Sequence, residues 1–291
     1  MTMDVLFSAL SLAAIYGLVA IGVSLTWAAL GMLNLAHGVA FAVGAYGGWL
    51  AAEHLSAAAP VVLAGGIAGG ALVGCITYVL VVVPLFDRPN WEIRHLIATL
   101  AISLVGANAL LELFGPSAKA LPAVFGEGSV TVFGSVVTAD KLGAIVSATI
   151  VLGAIAVVLR RSRLGLGLRV LTQDSEGAAL VGVNRNRMAL AVLASSGALA
   201  GLASVLLAQT FYANPDVGFV PLVKGLLVAV LGGLGSIPGA IVAALIMGAA
   251  EALTAAYLGQ EYVLMTLFVV LAAVLLARPR GISGLLEEAR A

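Results

Sequence analysis

Long runs of apolar residues, separated by short clusters of charged ones, dominate this chain of 291 residues. About 20 apolar residues in a helix cross the ~30 Å hydrocarbon core of a bilayer. Most runs can therefore hold one membrane span and the first can hold two, which predicts a polytopic membrane protein. The runs without Asp, Glu, Lys or Arg are Val5–Ala52, Leu55–Phe86, Leu96–Leu111, Leu142–Leu159, Met188–Pro215, Gly225–Ala250 and Tyr262–Ala277.

The runs are continuous and do not alternate in polarity, which favours helices over the strands of a transmembrane barrel. The predicted fold class is all-α: a polytopic transmembrane helical bundle of about eight or nine membrane segments. It forms a single domain over residues 1–291, and one of its helices is short and broken. The predicted spans are Val5–Leu30, Asn34–Ala52, Ala58–Val83, Leu96–Phe114, Leu142–Leu159, Met188–Gln209, Val220–Gly232, Ile237–Tyr257 and Tyr262–Ala277.

The span Val220–Gly232 is too short to cross a bilayer comfortably, and a glycine-rich break follows it at Gly232–Gly239. Glycine is flexible, and Pro238 lacks an amide donor, so no helix would tolerate this segment intact. Such breaks persist at membrane depth only where protein or water surrounds them. We therefore expect a half-helix and turn buried in the bundle beside the permeation route. A plain cytoplasmic turn between two spans is the alternative.

Composition agrees with lipid as the main solvent, since 62% of residues are hydrophobic and 10% charged, against roughly 25% charged in soluble domains. The start of the chain lacks the basic segment of a signal peptide, so the first apolar run is expected to be a permanent span. The single cysteine, Cys75, is expected to be a packing residue. The sequence contains no P-loop, no Cys pair and no zinc-type His pair. We therefore expect no enzymatic activity, no metal site, no cofactor in this chain and no nucleic-acid partner.

Basic residues set the expected orientation, because cytoplasmic loops carry an excess of Lys and Arg. We expect the segment 160–187 and the C-terminal tail to be cytoplasmic, and the segment 115–141 and the N-terminus to be outside. Glycine-punctuated β-branched residues in 115–141 predict a small hairpin, which either docks a soluble protein or only connects two spans. The basic residues on the cytoplasmic side are Arg88, Arg94, Arg160, Arg161, Arg163, Arg169, Arg185, Arg187, Arg278, Arg280 and Arg290, whereas Lys119 and Lys141 lie outside.

The cytoplasmic segment contains a pattern typical of a short, capped helix. Thr172 to Glu176 supply capping groups and acids at a helix start, and small residues then lead to a glycine that can end the helix. Such a helix can be pushed by another protein, so we expect it to couple the chain to a partner. Arginines that hold anionic lipid explain the charges but not the small-residue helix. The expected coupling residues are Thr172, Gln173, Asp174, Glu176, Ala179, Leu180 and Gly182.

The same segment, from Leu164 to Val183, resembles the coupling segment of branched-chain amino-acid ABC transporter permeases, in the H-type membrane subunit. The tail from Arg278 to Gly284 also resembles the family, with Arg280 where Gln is commoner. The resemblance covers essentially the whole chain. The further matching blocks are Leu33–Gly38 with Gly44–Tyr46, Ser196–Gly201 and Leu231–Gly239.

The resemblance implies a permease subunit of an importer for branched-chain amino acids in the bacterial cell inner membrane. It implies a heterodimer with an M-type permease, two ATP-binding cassette subunits that hydrolyse ATP, and an extracytoplasmic solute-binding protein. Related permeases carry urea, short amides and aromatic acids, so these substrates stay open. A secondary transporter or channel that works alone is the alternative from another class.

Polar groups inside the spans are the candidates for the pathway, because such groups usually face the bundle or a cavity. Asn34 and His37 either serve transport or satisfy a broken helix end. Lys224 and Glu251, like Glu112, lie near span ends and are expected to extend to the interface. We therefore expect no fixed ion pair for an amino-acid zwitterion in the membrane, which argues against a secondary transporter. The expected pathway residues are Asn34, His37, Asn108, Gly233 and Gly235.

Overall fold

The computed structural model describes residues 3–86, 88–126, 128–132, 135–173, 175–180, 182–208 and 212–283. Seven of the described helices are long and apolar enough to cross a membrane, and α2 and the shorter α10 lie among them, which confirms the predicted helical bundle. The elements are α1 Met3–Leu30, α2 His37–His54, α3 Ala59–Thr77, α4 Val83–Leu85, α5 Trp91–Phe114, β1 Ser129–Val132, β2 Ser135–Thr138, α6 Ala139–Arg161, α7 Arg163–Gln173, α8 Ser175–Leu180, α9 Arg185–Ala208, α10 Phe219–Gly232, α11 Ile237–Tyr257 and α12 Val263–Ala277.

Burial separates the inner helices of the bundle from the outer ones. In α1, α9 and α11 at least half of the most apolar stretch is buried inside the chain, whereas in α5, α6 and α12 only 11% is. The outer helices expose many leucine, valine and isoleucine side chains. A helix that faces lipid needs no polar side, so these exposed apolar faces suit a bilayer and not water.

Glycines bring α3 into direct backbone contact with α9. A Cβ atom on Gly70 would overlap the carbonyl oxygen of Gly197, and one on Gly201 would overlap the carbonyl oxygen of Gly66. The order of these contacts makes the two helices antiparallel. Gly44 of α2 approaches Gly201 in the same way. Small residues at four-residue spacing allow this approach, and in lipid such packing drives helix association.

The span that begins with α3 continues past Thr77 through a π-helical turn at Tyr78–Val82 into α4. Pro84 explains the turn, because its ring excludes the normal hydrogen bond to the residue four positions earlier. The helix therefore widens locally instead of stopping, and Ala59–Leu85 remains one span.

The basic segments share one end of the bundle. Arg160, Arg169 and Arg280 line one cavity, and the guanidinium of Arg185 lies 3.7 Å from the ring centroid of Phe86. We refer to this as the arginine end. Arg290 lies outside the described residues.

The opposite end carries the hairpin. Strands β1 and β2 pair antiparallel, as the pattern in 115–141 predicts, although α6 already begins at Ala139. Lys141 donates a hydrogen bond of 2.9 Å to Ser8, so the start of α1 lies at this end. The start of α1 and the arginine end therefore lie at opposite ends of the bundle. The predicted orientation, with the N-terminus outside the cell and the arginines in the cytoplasm, requires this arrangement.

Candidate translocation and coupling sites

The chain between α1 and α2 is a buried, non-helical segment at residues 31–36. Gly31 ends α1 with φ +62°, and its amide donates to Trp27. The Asn34 side chain accepts a hydrogen bond of 3.0 Å from the Ala36 amide, while the Leu35 amide donates to Thr99 of α5. Protein groups thus satisfy two amides of the break, and the Asn34 side chain supports the start of α2. A role of Asn34 in transport stays a prediction. For this reason α2 begins at His37 and not at the predicted Asn34.

His37 is the first residue of α2 and is 1% exposed. Its Nδ1 lies 3.1 Å from the Ser196 hydroxyl of α9. Its Nε2 is buried and makes no hydrogen bond of good geometry to the described residues, although the Val19 backbone lies near the ring. A buried polar atom without a partner costs free energy, so this nitrogen is a candidate to contact a solute or water in another state.

Helix α10 crosses the interior of the bundle from the start of α2 to the start of α11. Gly218, just before α10, contacts the backbone of Gly38 at the start of α2, and Gly225 contacts Val19 in the middle of α1. The helix ends where Gly232 packs against Gly239 of α11. With only 14 residues, α10 is the short half-helix predicted from the sequence.

The break after α10 is partly buried, with Gly233 and Ser236 buried and Pro238 exposed, and the C-terminal tail holds it. Gly233 and Gly235 have φ values of +94° and +86°, which L side chains rarely adopt. The Ile282 amide donates to the Leu231 carbonyl at 2.9 Å, and the Ser236 hydroxyl caps α11 by accepting from the Gly239 amide. Gly235 also lines a cavity. The cavity lies at the arginine end, so the break does too. A hinge beside the permeation route and a plain cytoplasmic turn both stay predictions.

Asn108 does not lie with the other predicted pathway residues. It is exposed on the outer helix α5, where its Nδ2 donates to the Leu104 carbonyl of its own helix at 2.8 Å. The structure therefore brings Asn34 and His37 together at one break and Gly233 and Gly235 at another, but leaves Asn108 on a different face.

A buried ion pair contradicts one expectation. Lys224 of α10 and Glu251 of α11 lie 2.6 Å apart, and both are buried. The Tyr16 hydroxyl of α1 donates to the second Glu251 oxygen at 2.7 Å and accepts from Lys224 at 3.0 Å. The expectation that these charges extend to the interface, and that the membrane holds no fixed ion pair, is wrong. Because α10 crosses the interior, Lys224 cannot reach the surface and pairs instead.

The predicted coupling segment forms two helices, α7 and α8, at the arginine end. Thr172 belongs to the last turn of α7, where its hydroxyl donates to the Arg169 carbonyl at 2.8 Å, so it does not cap α8 as expected. Gln173 ends α7 and is exposed. Asp174 lies outside the described residues.

Helix α8 is short and is followed by a left-handed glycine. Leu180 is 90% exposed, and Gly182 has φ +80° with open space around it. Ala178 is buried, and its carbonyl accepts from the Val183 amide, which closes the helix end. Glu176 and Ala179 belong to α8 by their backbone. A large apolar side chain exposed in a basic segment is a candidate protein contact.

Comparison with known proteins assigns the chain to a protein family. The family model described as "Branched-chain amino acid transport system / permease component" matches residues 5–276. The chain belongs to this permease family. The permease is 34% identical to the high-affinity branched-chain amino acid transport system permease protein LivH of Salmonella typhimurium, over 96% of this chain and 94% of that one. It is 32% identical to the corresponding protein BraD of Pseudomonas aeruginosa, with the same coverage.

More distant similarity points the same way. The permease is 28% identical to the probable branched-chain amino acid transport permease protein LivH of Methanocaldococcus jannaschii, over 92% of this chain and 88% of that one. The solved structure "PsaBC from Streptococcus pneumoniae in complex with Fab" has a TM-score of 0.55 at 14% identity, over 95% of this chain and 92% of that chain, and shows a similar fold. The family resemblance is confirmed, and the permease is a multi-pass protein of the bacterial inner membrane. Its family is one of transport subunits and not of enzymes.

Sequence reasoning missed Tyr16, Lys224 and Glu251. A signal was present: one base and one acid stand alone at the two ends of the charge-free run Gly225–Ala250. Opposite charges in neighbouring apolar helices indicate a pair, because an isolated charge in a bilayer is costly.

Proposed function

We propose that this permease is one membrane-spanning subunit of an ATP-driven importer of branched-chain amino acids and forms half of its translocation pathway. It pairs with a second permease, takes its solute from an extracytoplasmic binding protein, and is driven by two ATPase subunits that hydrolyse ATP. The observation that carries the proposal is full-length similarity to permeases that bear this description.

The coupling contact is proposed at α8. Leu180 offers an apolar side chain to a groove on an ATPase subunit, and the small residues around it allow close approach. Gly182 lets the chain turn back toward α9 at φ +80°. Burying one leucine contributes about 1.5–3 kcal/mol, which is roughly a tenfold or larger effect on docking.

The pathway is proposed beside the two breaks. The starts of α2 and α10 meet at Gly38 and Gly218, and helix starts carry partial positive charge, which favours the carboxylate of an amino acid. The buried His37 Nε2, which makes no hydrogen bond of good geometry to the described residues, lies at one of these starts. Rearrangement of α10 would open this region, with Gly233 and Gly235 as its hinge.

The test is uptake by the assembled transporter in proteoliposomes, with ATP inside and labelled leucine and the binding protein outside. We expect ATP-dependent leucine uptake that excess valine or isoleucine suppresses and that urea, acetamide and benzoate do not. If urea, acetamide or benzoate suppressed leucine uptake and valine and isoleucine did not, the proposal of a branched-chain amino acid as substrate would be contradicted. Uptake without ATP or ATPase subunits would indicate a transporter or channel that works alone.

A matched pair of variants tests the coupling contact. Leu180→Ser should reduce uptake and solute-stimulated ATP hydrolysis about tenfold, because the exposed apolar anchor is lost. Leu166→Ser is the control, since Leu166 is an exposed leucine of the neighbouring α7. Equal effects of the two substitutions would contradict docking at α8.

A further inference from the structure

A cavity of about 740 Å³ opens at the arginine end, between α1, α6, α7 and the break before α11. Three of its lining residues are Arg160, Arg169 and Arg280, and no described Asp or Glu lines it. Arg169 is fixed in place, because its guanidinium donates to the Gly165 and Arg160 carbonyls at 3.3 Å each. Arginine has five N–H donors, so donors remain for a ligand. The cavity suits an anion.

A second cavity continues from the first along the membrane-facing surface. It measures about 360 Å³ and lies between α1, α6 and α11. The two cavities share Ala156 and Ile241 in their walls. Apart from Thr149, the second is lined by leucine, isoleucine, alanine and glycine alone. An apolar groove therefore leads away from the arginines into the depth of the bilayer.

We propose that the two cavities together bind one anionic phospholipid of the cytoplasmic leaflet. Its phosphate lies among Arg160, Arg169 and Arg280, since guanidinium groups pair with phosphate oxygens in bidentate geometry. One acyl chain lies in the groove between α6 and α11. Basic pockets between helices on the cytoplasmic side recognise lipid headgroups in this way. A soluble anion would occupy only the arginine cavity and would not fill the apolar groove. An acidic protein segment would likewise bind the arginines and leave the groove unfilled.

The site is independent of the solute that the permease carries. The test uses the full chain, purified with its partner subunits, and counts bound lipid by native mass spectrometry. The probes are phosphatidylglycerol, phosphatidylcholine with the same acyl chains, and inorganic phosphate. We expect phosphatidylglycerol to bind more tightly than phosphatidylcholine. Arg160→Gln should weaken it about fivefold, the effect of one basic residue at a membrane surface, whereas Arg161→Gln, at the same helix end but outside the cavity wall, should not.

The acyl groove is tested with a second pair of variants. Nothing lies within 4 Å of a Cβ added to Gly153, so Gly153→Leu is tolerated by α6 and fills the groove. We expect it to weaken both phospholipids, whereas Ala154→Leu, beside it but outside the groove wall, should not. Equal binding of the two lipids, equal effects of Arg160→Gln and Arg161→Gln, or displacement of bound lipid by millimolar phosphate would overturn the proposal. Loss of ATPase subunits from the Arg160→Gln complex, with lipid binding unchanged, would assign the cavity to a protein contact instead.

Discussion

Replacing Glu251 by methionine should destabilise the permease strongly, because it leaves Lys224 charged and buried without its partner. The substitution removes two charge-assisted hydrogen bonds, one from Lys224 at 2.6 Å and one from Tyr16 at 2.7 Å. Breaking a buried ion pair costs about 3–5 kcal/mol. A lysine placed unpaired at the centre of a membrane helix costs about 2.5–3.5 kcal/mol. The two estimates agree on a decrease of about 3 kcal/mol in the free energy of unfolding.

The double variant Lys224→Met/Glu251→Met should be much less damaging than either single change. Both charges are then gone, and methionine fills similar volume without a polar group. Replacing a buried pair by apolar residues is often neutral or stabilising. We therefore expect a coupling energy of at least about 2 kcal/mol between the two positions, well above the additivity error for distant sites.

The measurement is the free energy of unfolding in mixed micelles, titrated with SDS and followed by the fluorescence of the three tryptophans. Glu112→Met is the control, since Glu112 lies exposed on α5 and should cost less than about 1 kcal/mol. If the double variant were as unstable as the sum of the two single ones, the pair would not be a coupled unit and the reasoning would fail.

Three further predictions follow from contacts already described. Gly70→Leu should abolish stable folding, because no side chain fits between α3 and α9. The measurement is the height of the folded permease peak in gel filtration, and an unchanged peak would contradict the close contact. Gly235→Leu should remove uptake while the complex still assembles, since φ +86° strains any L side chain; full uptake would favour a plain turn. In a Cys75→Ala background, a cysteine at Ser129 should react with an impermeant thiol reagent on intact cells and one at Ser162 should not; the reverse result would invert the orientation.

The sequence predicted the elements that depend on local pattern. Charge-free runs located the spans, and the glycines and proline of Gly232–Gly239 located the second break, because lipid thickness and backbone chemistry act on each segment separately. Span starts were less accurate: α5 begins at Trp91 and not at Leu96, since a helix can continue past the apolar core into the polar interface.

The sequence could not predict which segments meet. Lys224 and Glu251 each looked like a residue at a span end, and only the crossing path of α10 through the bundle makes them neighbours. Likewise, Thr172 fitted a cap for the following helix, but α7 extends far enough to include it. Asn108 is a polar residue within a span, as Asn34 is, but α5 turns it outward. Each of these outcomes depends on tertiary packing and not on local pattern.

The backbone contact between α3 and α9 limits how the permease can move. Sliding of packed helices relies on side chains that change rotamer, and where Gly66 and Gly70 meet Gly197 and Gly201 there are none to change. These helices, with α2 against them, must therefore travel as one rigid body during any transport cycle. The displacement has to fall on helices held by side chains. Helix α10 meets neighbouring backbone through Gly218 and Gly232 at its two ends. Its middle is held to α1 and α11 by the side chains of Lys224, Tyr16 and Glu251, so rotamer changes there can accompany movement.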